Sequence, residues 1–198
     1  MKFIIATNNQ KKLRELRALL EEFGIYAVSL ADAGICSEVE ETGATFEENA
    51  LLKAEDAMRI MGIPAIADDS GLVVDALEGE PGVYSARYGG ESCQSDVDRY
   101  RLLLAKMEGV ADSARSARFV SAIACVFPDG RKIVTRGVCE GTITRAPCGE
   151  GGFGYDPVFY LPGEGKTMAE ISQERKNQIS HRARSIEKLR DELKKFYQ

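Results

Sequence analysis

The spacing of apolar residues changes period several times along the chain, and each change predicts an element. Residues 2–6 are an almost unbroken apolar run and read as a short buried strand. After the polar residues 7–12, Leu13, Leu16, Leu19, Leu20 and Phe23 recur at helical spacing until Gly24 ends the helix. Thr45 and Glu48 stand at capping-box spacing ahead of Ala50, Leu51, Ala54, Ala57, Met58 and Met61. They predict a second helix, entered through the acidic residues 38–43 and stopped by Gly62. Residues 64–67 are a short apolar run that breaks at Asp68-Asp69-Ser70-Gly71, and residues 72–77 are strand-like again, so the two aspartates are expected at a strand end. A Gly-rich, aromatic loop over 79–90 leads to a peripheral helix near 95–107, opened by Ser95 and Asp98. Residues 118–127 and 132–144 are β-rich and joined by Pro128-Asp129-Gly130, which predicts a long antiparallel hairpin. Residues 149–157 are too Gly-rich for regular structure and precede a short strand at 158–161. The last part of the chain is helical, with Ile186, Leu189, Leu193 and Phe196 on one stripe. No repeat, linker or low-complexity tract interrupts this pattern. The expected architecture is one α/β domain over residues 1–198, its mixed sheet bent into two lobes around a central substrate cleft.

Composition narrows the function classes. A chain of 198 residues can bury about 70% of its open-chain surface, so neither a metal nor a disulfide is needed to hold a core. Hydrophobic residues at 44% and charged residues at 29% exclude a disordered or collagen-like chain. Twenty-six Lys and Arg against 31 Asp and Glu leave a net charge of −5, which argues against nucleic acid or an acidic membrane as partners while leaving room for a local phosphate pocket. Cys36, Cys93, Cys125, Cys139 and Cys148 are scattered with no C-x-x-C, so they encode neither a disulfide framework nor a thiolate zinc site. The first apolar run is too short for a signal-peptide core and no later run approaches a membrane span, so a reducing, cytoplasmic setting is expected.

Three groups of residues carry candidate chemistry. Thr7, Asn8, Asn9, Gln10, Lys11 and Lys12 lie where a strand hands over to a helix, and the unpaired amides and positive end of a helix attract anions. Their hydroxyl, amide and ammonium groups suit a phosphate; the competing reading has Thr7 or Asn9 capping the helix and the lysines solvated. The G-x-x-x-x-G-K-[ST] pattern is absent, so this is no Walker A loop. Asp68 and Asp69 are adjacent on an extended backbone and so point to opposite sides. With Glu40 or Glu41 they would suit Mg²⁺ carried by substrate phosphates, or else they are the solvated opening of an Asp-Ser-Gly turn. Lys53 shares a helix face with Asn49 one turn earlier, within reach of a phosphate, the acidic cluster or solvent. Phe153 can stack on a planar ring with Tyr155 and Asp156 at its edge, or anchor a turn. His181, the only histidine, stands at a helix start with Lys176 upstream and no Ser or Cys motif nearby, which argues against a triad. A phosphate cradle, an acidic metal site and an aromatic-plus-cation patch are together what a nucleoside triphosphate needs.

At this point the sequence resembles the inosine triphosphate pyrophosphatase family, the dITP/XTP pyrophosphatases that clear deaminated purine nucleotides. The resemblance covers essentially the whole chain. It rests on Ala6-Thr7-Asn8-Asn9-Gln10-Lys11-Lys12 with Glu15, on Glu41-Thr42-Gly43 with Thr45-Phe46 and Glu48-Asn49-Ala50, and on Ala67-Asp68-Asp69-Ser70-Gly71-Leu72. It continues through Pro81-Gly82-Val83-Tyr84-Ser85-Ala86-Arg87-Tyr88, Gly151-Gly152-Phe153-Gly154-Tyr155-Asp156-Pro157 and Ile179-Ser180-His181-Arg182. Six such motifs in this order are highly specific. The resemblance implies an elongated α/β protein, a homodimer, that hydrolyses a nucleoside triphosphate to monophosphate and pyrophosphate with Mg²⁺. It implies that residues 7–12 and Lys53 hold the triphosphate, that Glu41, Asp68 and Asp69 carry the metal, and that Asp69 accepts the proton of the attacking water. Ser70, Phe153, Gly154, Tyr155, Asp156, Lys176, His181 and Arg182 would surround the nucleoside, with Phe153 beneath the base and donors at its 6-oxo edge. Asn8 stands where many relatives have glycine, and Lys12 is the lysine that matches the family's phosphate-binding one. Two other readings compete: a phosphatase with Asp68 as nucleophile, which would usually show Asp-x-Asp-x-Thr, and a nucleotide-binding regulator without hydrolysis, which would have no need of Glu41 and Asp69.

Overall fold

The computed structural model describes residues 2–35 and 39–196. Cys36, Glu38 and the side chain of Phe196, which enter the expectations above, lie outside the described residues. The helices and strands are β1 (Lys2–Ile5), α1 (Gln10–Glu22), β2 (Tyr26–Ser29), α2 (Phe46–Met61), β3 (Ala65–Val74), α3 (Asp96–Lys106), β4 (Ser116–Val126), β5 (Lys132–Ile143), β6 (Phe159–Leu161), β7 (Lys166–Thr167), α4 (Gln173–Ile179) and α5 (His181–Phe196). The strands form one seven-stranded mixed sheet in the order β2-β1-β3-β4-β5-β6-β7. β1 runs parallel to both β2 and β3, whereas β5–β6 and β6–β7 are antiparallel. Ile143 N donates to Arg115 O at one end of the predicted hairpin and Phe127 N to Arg131 O at the other, so β4 and β5 keep a constant antiparallel register. Among the described residues no helix is long and apolar enough to cross a membrane.

The chain divides into two compact units, one of Met1–Asp69, Ser121–Gly137 and His181–Gln198, the other of Ser70–Val120 and Val138–Ser180. In the first unit the predicted stripe of α1, Leu13, Leu16, Leu19 and Leu20, shares a buried core with Phe3 and Ile5 of β1, Ile123, Cys125 and Phe127 near the hairpin, and Ile186, Leu189 and Leu193 of α5. Burial pushes the Cys125 thiol up to about 12, which leaves it inert at neutral pH. In the second unit Leu72, Val74, Leu103, Met107 and Phe119 pack with Val158, Phe159 and Leu161, the Phe119 and Phe159 rings lying 4.4 Å apart. Arg115 is buried there and donates to the carbonyls of Met107, Ile143 and Thr144, closing the C-terminal end of α3 against β5.

Caps follow the sequence signals. Thr45 and Ser95 each form a full capping box, with Glu48 and Asp98 respectively. Asn9 caps α1 by accepting from the amides of Lys11 and Lys12. The aspartate pair departs from expectation: β3 runs unbroken from Ala65 to Val74, so Asp68 and Asp69 lie inside a strand and are buried rather than opening an exposed turn. Turn propensity in Asp-Ser-Gly comes from solvated carboxylates that bond their own backbone. Here hydroxyl and cationic partners take both carboxylates and remove that preference. The glycine loop ends in a short 3-10 turn at Asp156–Val158, so β6 begins at Phe159, one residue later than predicted.

Candidate active site

In the first unit, β3 delivers its two aspartates to opposite sides, as a strand must. Asp68 Oδ1 accepts from Ser121 Oγ at 2.6 Å, and Oδ2 lies 3.2 Å from both Arg182 Nη2 and Lys12 Nζ. Arg182 is in turn ion-paired with Glu15 of α1. Burial alone would raise the Asp68 pKa, but Arg182, Lys12, Ser121 and Lys53 outweigh it and hold the carboxyl well below the ordinary range. Asp69 faces the other way. Its Oδ1 is 2.7 Å from Lys53 Nζ, and the same ammonium lies 3.0 Å from Glu41 Oε1. Burial pushes the Asp69 pKa up, Glu41 adds to the rise, and Lys53 and Lys12 oppose it. Lys53 answers in kind: burial lowers its pKa, yet Asp69, Glu41 and Asp68 leave it raised overall and firmly charged.

Local structure explains how these groups meet. Asn49 and Lys53 share one face of α2, four residues apart. Asn49 is fully buried, accepting from Gly43 N at 2.8 Å while its Nδ2 lies 3.5 Å from Asp69 Oδ2. Glu41 comes from the segment before α2 and reaches Lys53, whereas Glu40 is exposed. At the start of α1, Asn8, Gln10 and Lys11 are exposed, and Thr7 Oγ1 accepts from Asn9 N. Lys12 is the lysine drawn into the cluster.

The second unit carries the aromatic group. Phe153 N donates to Asp156 Oδ2 at 2.9 Å, and the same oxygen is 2.7 Å from Lys176 Nζ in a pair with both side chains 4% exposed. The Lys176 ammonium lies 4.8 Å from the Phe153 ring centroid, a cation–π contact. Gly152 has φ +70°, and a Cβ there would meet Asp156 Oδ2 at 2.0 Å, so this turn requires glycine. Gly154 N donates to Asp96 Oδ2 of α3, and buried Tyr155 donates its hydroxyl to Ser85 O. Ser70 is half-buried in β3. His181 and Arg182, in the first unit, are buried in the opening turn of α5. A Cβ on Gly137 would meet His181 O at 1.9 Å, so β5 presses directly on that turn.

The donor set suits a hard divalent cation: two carboxylate oxygens, from Glu41 and Asp69, already converge on one positive group. Among the described residues no three His, Cys, Asp or Glu side chains gather closely enough to hold a metal by themselves. One or two carboxylates completed by substrate phosphates is the usual protein contribution to a Mg²⁺ site. Asp68 is differently placed, its oxygens engaged by Ser121, Arg182 and Lys12. Sequence reasoning missed Ser121 and gave Glu15 no role. The available signal was a polar residue within each buried apolar pattern, Glu15 among the leucines of α1 and Ser121 in the run 119–127.

The Ham1 family model matches residues 3–192. A dITP/XTP pyrophosphatase of Geobacillus kaustophilus is 54% identical over 186 residues, covering 94% of this chain and 91% of its own. The dITP/XTP pyrophosphatase of Escherichia coli strain K12 is 48% identical over 195 residues and 98% of both chains. Among solved structures, the Ham1 protein of Staphylococcus aureus superposes with a TM-score of 0.86 at 43% identity, covering 98% of each chain. A HAM1 protein from Coxiella burnetii does so at 0.88 and 40%, covering 98% of this chain and 99% of its own.

Proposed function

This chain belongs to the Ham1 family, and from that premise we propose that it hydrolyses deaminated purine nucleoside triphosphates (ITP, dITP, XTP) to the monophosphate and pyrophosphate. The observation that carries the reading is the pairing of Glu41 and Asp69 on one ammonium, next in the strand to an Asp68 that holds a second ammonium on its other side. Two consecutive aspartates thereby hold the two cations that this reading assigns to the phosphates, and the second of them serves as its proton acceptor.

Lys12 and Lys53 bring positive charge to the triphosphate, and Thr7, Asn8, Asn9, Gln10 and Lys11 flank Lys12 at the entrance to α1. Positioning and electrostatics of this kind dominate phosphoryl transfer. Asp69 takes the proton of the attacking water at Oδ2, the oxygen opposite the one that Lys53 holds. Its burial makes it a stronger base than a solvated aspartate. Glu41 and Asp69, completed by the substrate phosphates, would hold Mg²⁺, which would supply charge neutralisation and a more acidic water. Asp68 joins this set through its charge and through the cations it fixes.

On the nucleoside side, Phe153 lies beneath the base and Lys176, oriented by Asp156, donates to the 6-oxo edge. Ser70, Gly154 and Tyr155 complete this group in the second unit; His181 and Arg182 belong to the first, Arg182 within its ion pairs with Glu15 and Asp68. Adenine presents a 6-amino donor to the same groups and would leave a buried donor unpaired, which disfavours ATP. A homodimer and a cytosolic setting belong to the same reading.

Product identification over a panel of nucleotides tests it. Pyrophosphate, not orthophosphate, should appear from ITP, dITP or XTP only when Mg²⁺ is added, with far slower turnover of ATP. Equal rates on ATP and ITP would defeat the edge recognition, and a covalent aspartyl-phosphate would defeat the water mechanism.

A further inference from the structure

We propose that Ser121 is a positioning residue for this reaction: its hydroxyl orients the Asp68 carboxylate and thereby holds the Lys12 ammonium where a triphosphate meets it. The inference rests on the reading of Lys12 as a phosphate-holding group. Ser121 is fully buried in β4, within a run of buried apolar residues from Val120 to Phe127. A hydroxyl in such a place is costly unless bonded. Its partner is Asp68 Oδ1, at 2.6 Å.

With Oδ1 tied to β4, Oδ2 is turned toward the two cations, each 3.2 Å away. Ser121, Arg182 and Lys12 differ in freedom. Ser121 is wholly enclosed, and the Arg182 side chain is 1% exposed and anchored from behind by Glu15. Lys12 keeps 15% of its side chain exposed. It is therefore the partner that can meet a ligand from solvent, and the one whose rotamer depends on where Oδ2 points. An ammonium has three protons, so one bond to Asp68 leaves two for phosphate oxygens.

Charge counting separates this role from that of Asp68. Glu15 and Asp68 balance Arg182 and Lys12, so deleting a neutral hydroxyl removes orientation and leaves the charges intact. Asp69 faces Lys53 on the other side of the strand, so the loss should fall on triphosphate capture rather than on proton transfer.

The test is steady-state pyrophosphate release from ITP by wild type, Ser121→Ala and Ser121→Cys, with calorimetric binding of inorganic triphosphate and thermal unfolding of each. Losing a hydrogen bond to a charged group corresponds to about a tenfold effect, so Ser121→Ala should raise KM for ITP and weaken inorganic triphosphate by about that factor, with kcat within about twofold. In an Asp68→Asn background the same substitution should leave KM where it is, because the carboxylate it orients is gone. Ser121→Cys keeps nearly the same volume with only a weak donor; it should show the same KM-dominated loss and decides the matter if Ser121→Ala does not fold. Unchanged KM and unchanged inorganic triphosphate affinity in a folded variant, or a loss confined to kcat, overturns the proposal. If wild type instead releases no pyrophosphate from ITP, dITP or XTP, the reading of the activity fails, and the inorganic triphosphate arm still judges Ser121.

Discussion

Asp68 and Asp69 are identical neighbours whose surroundings drive them in opposite directions, the first toward a permanent carboxylate and the second toward a stronger base. Each therefore fails differently when altered. Asp69→Asn keeps the shape and removes the proton acceptor, so kcat for ITP should drop by about 10²–10⁴-fold with substrate still bound, as single-turnover and binding measurements would show. Turnover surviving near wild-type level removes Asp69 from the mechanism. Asp68→Asn leaves Arg182 and Lys12 short of a buried counter-charge and should cost about 3 kcal/mol in denaturant unfolding at neutral pH. The pH dependence has a definite sign. Because the folded pKa of Asp68 is depressed, its contribution is complete above the unfolded value of about 3.9 and is lost as pH falls toward the folded one. The stability gap between wild type and Asp68→Asn should accordingly be level from pH 7 to about 5 and close only below about 4. A gap that closes above pH 5 would show that the carboxylate is not held by these cations.

The elements place these residues more rigidly than their loops suggest. α2 starts at a complete capping box, and its helical period puts Asn49 and Lys53 side by side facing Asp69. Thr45→Ala should cost about 1 kcal/mol through the lost cap, measurable by denaturant unfolding. α5 is seated at its first turn. Thr135 Oγ1 donates to Ser185 O at 2.9 Å, Lys188 Nζ reaches Arg136 O at 2.7 Å, and Gly137 admits the His181 carbonyl where any side chain would collide with it. Since the obstacles at Gly137 are backbone atoms, Gly137→Ala must shift either β5 or the turn that bears His181 and Arg182. We expect a cost of about 1–3 kcal/mol and a matching fall in ITP turnover; a variant with wild-type melting and activity would mean that the contact yields freely. The capping boxes and helical stripes were legible because they depend on residues within a few positions of one another. β2 and β7, of four and two residues, were not read; they are fixed by pairing with β1 and β6 respectively.

For the whole molecule, the expected oligomer can be weighed directly: a homodimer should sediment at about twice the chain mass at micromolar concentration, and a monomer there would remove that part of the reading. The α/β class and most of the helices and strands were set by local pattern, because burial periodicity, caps and turn chemistry act over short stretches of chain. Position along the chain could not say whether Asp68 and Asp69 end a strand or lie within one, which of Lys11 and Lys12 enters the cluster, or that Ser121 and Glu15 belong to it. Those answers depend on groups up to 167 residues apart, as in the pair of Glu15 with Arg182. A carboxylate becomes a solvated turn residue or a buried anchor according to the charges folding brings against it, and electrostatic energy in a poorly solvated interior depends on distance in space rather than along the chain.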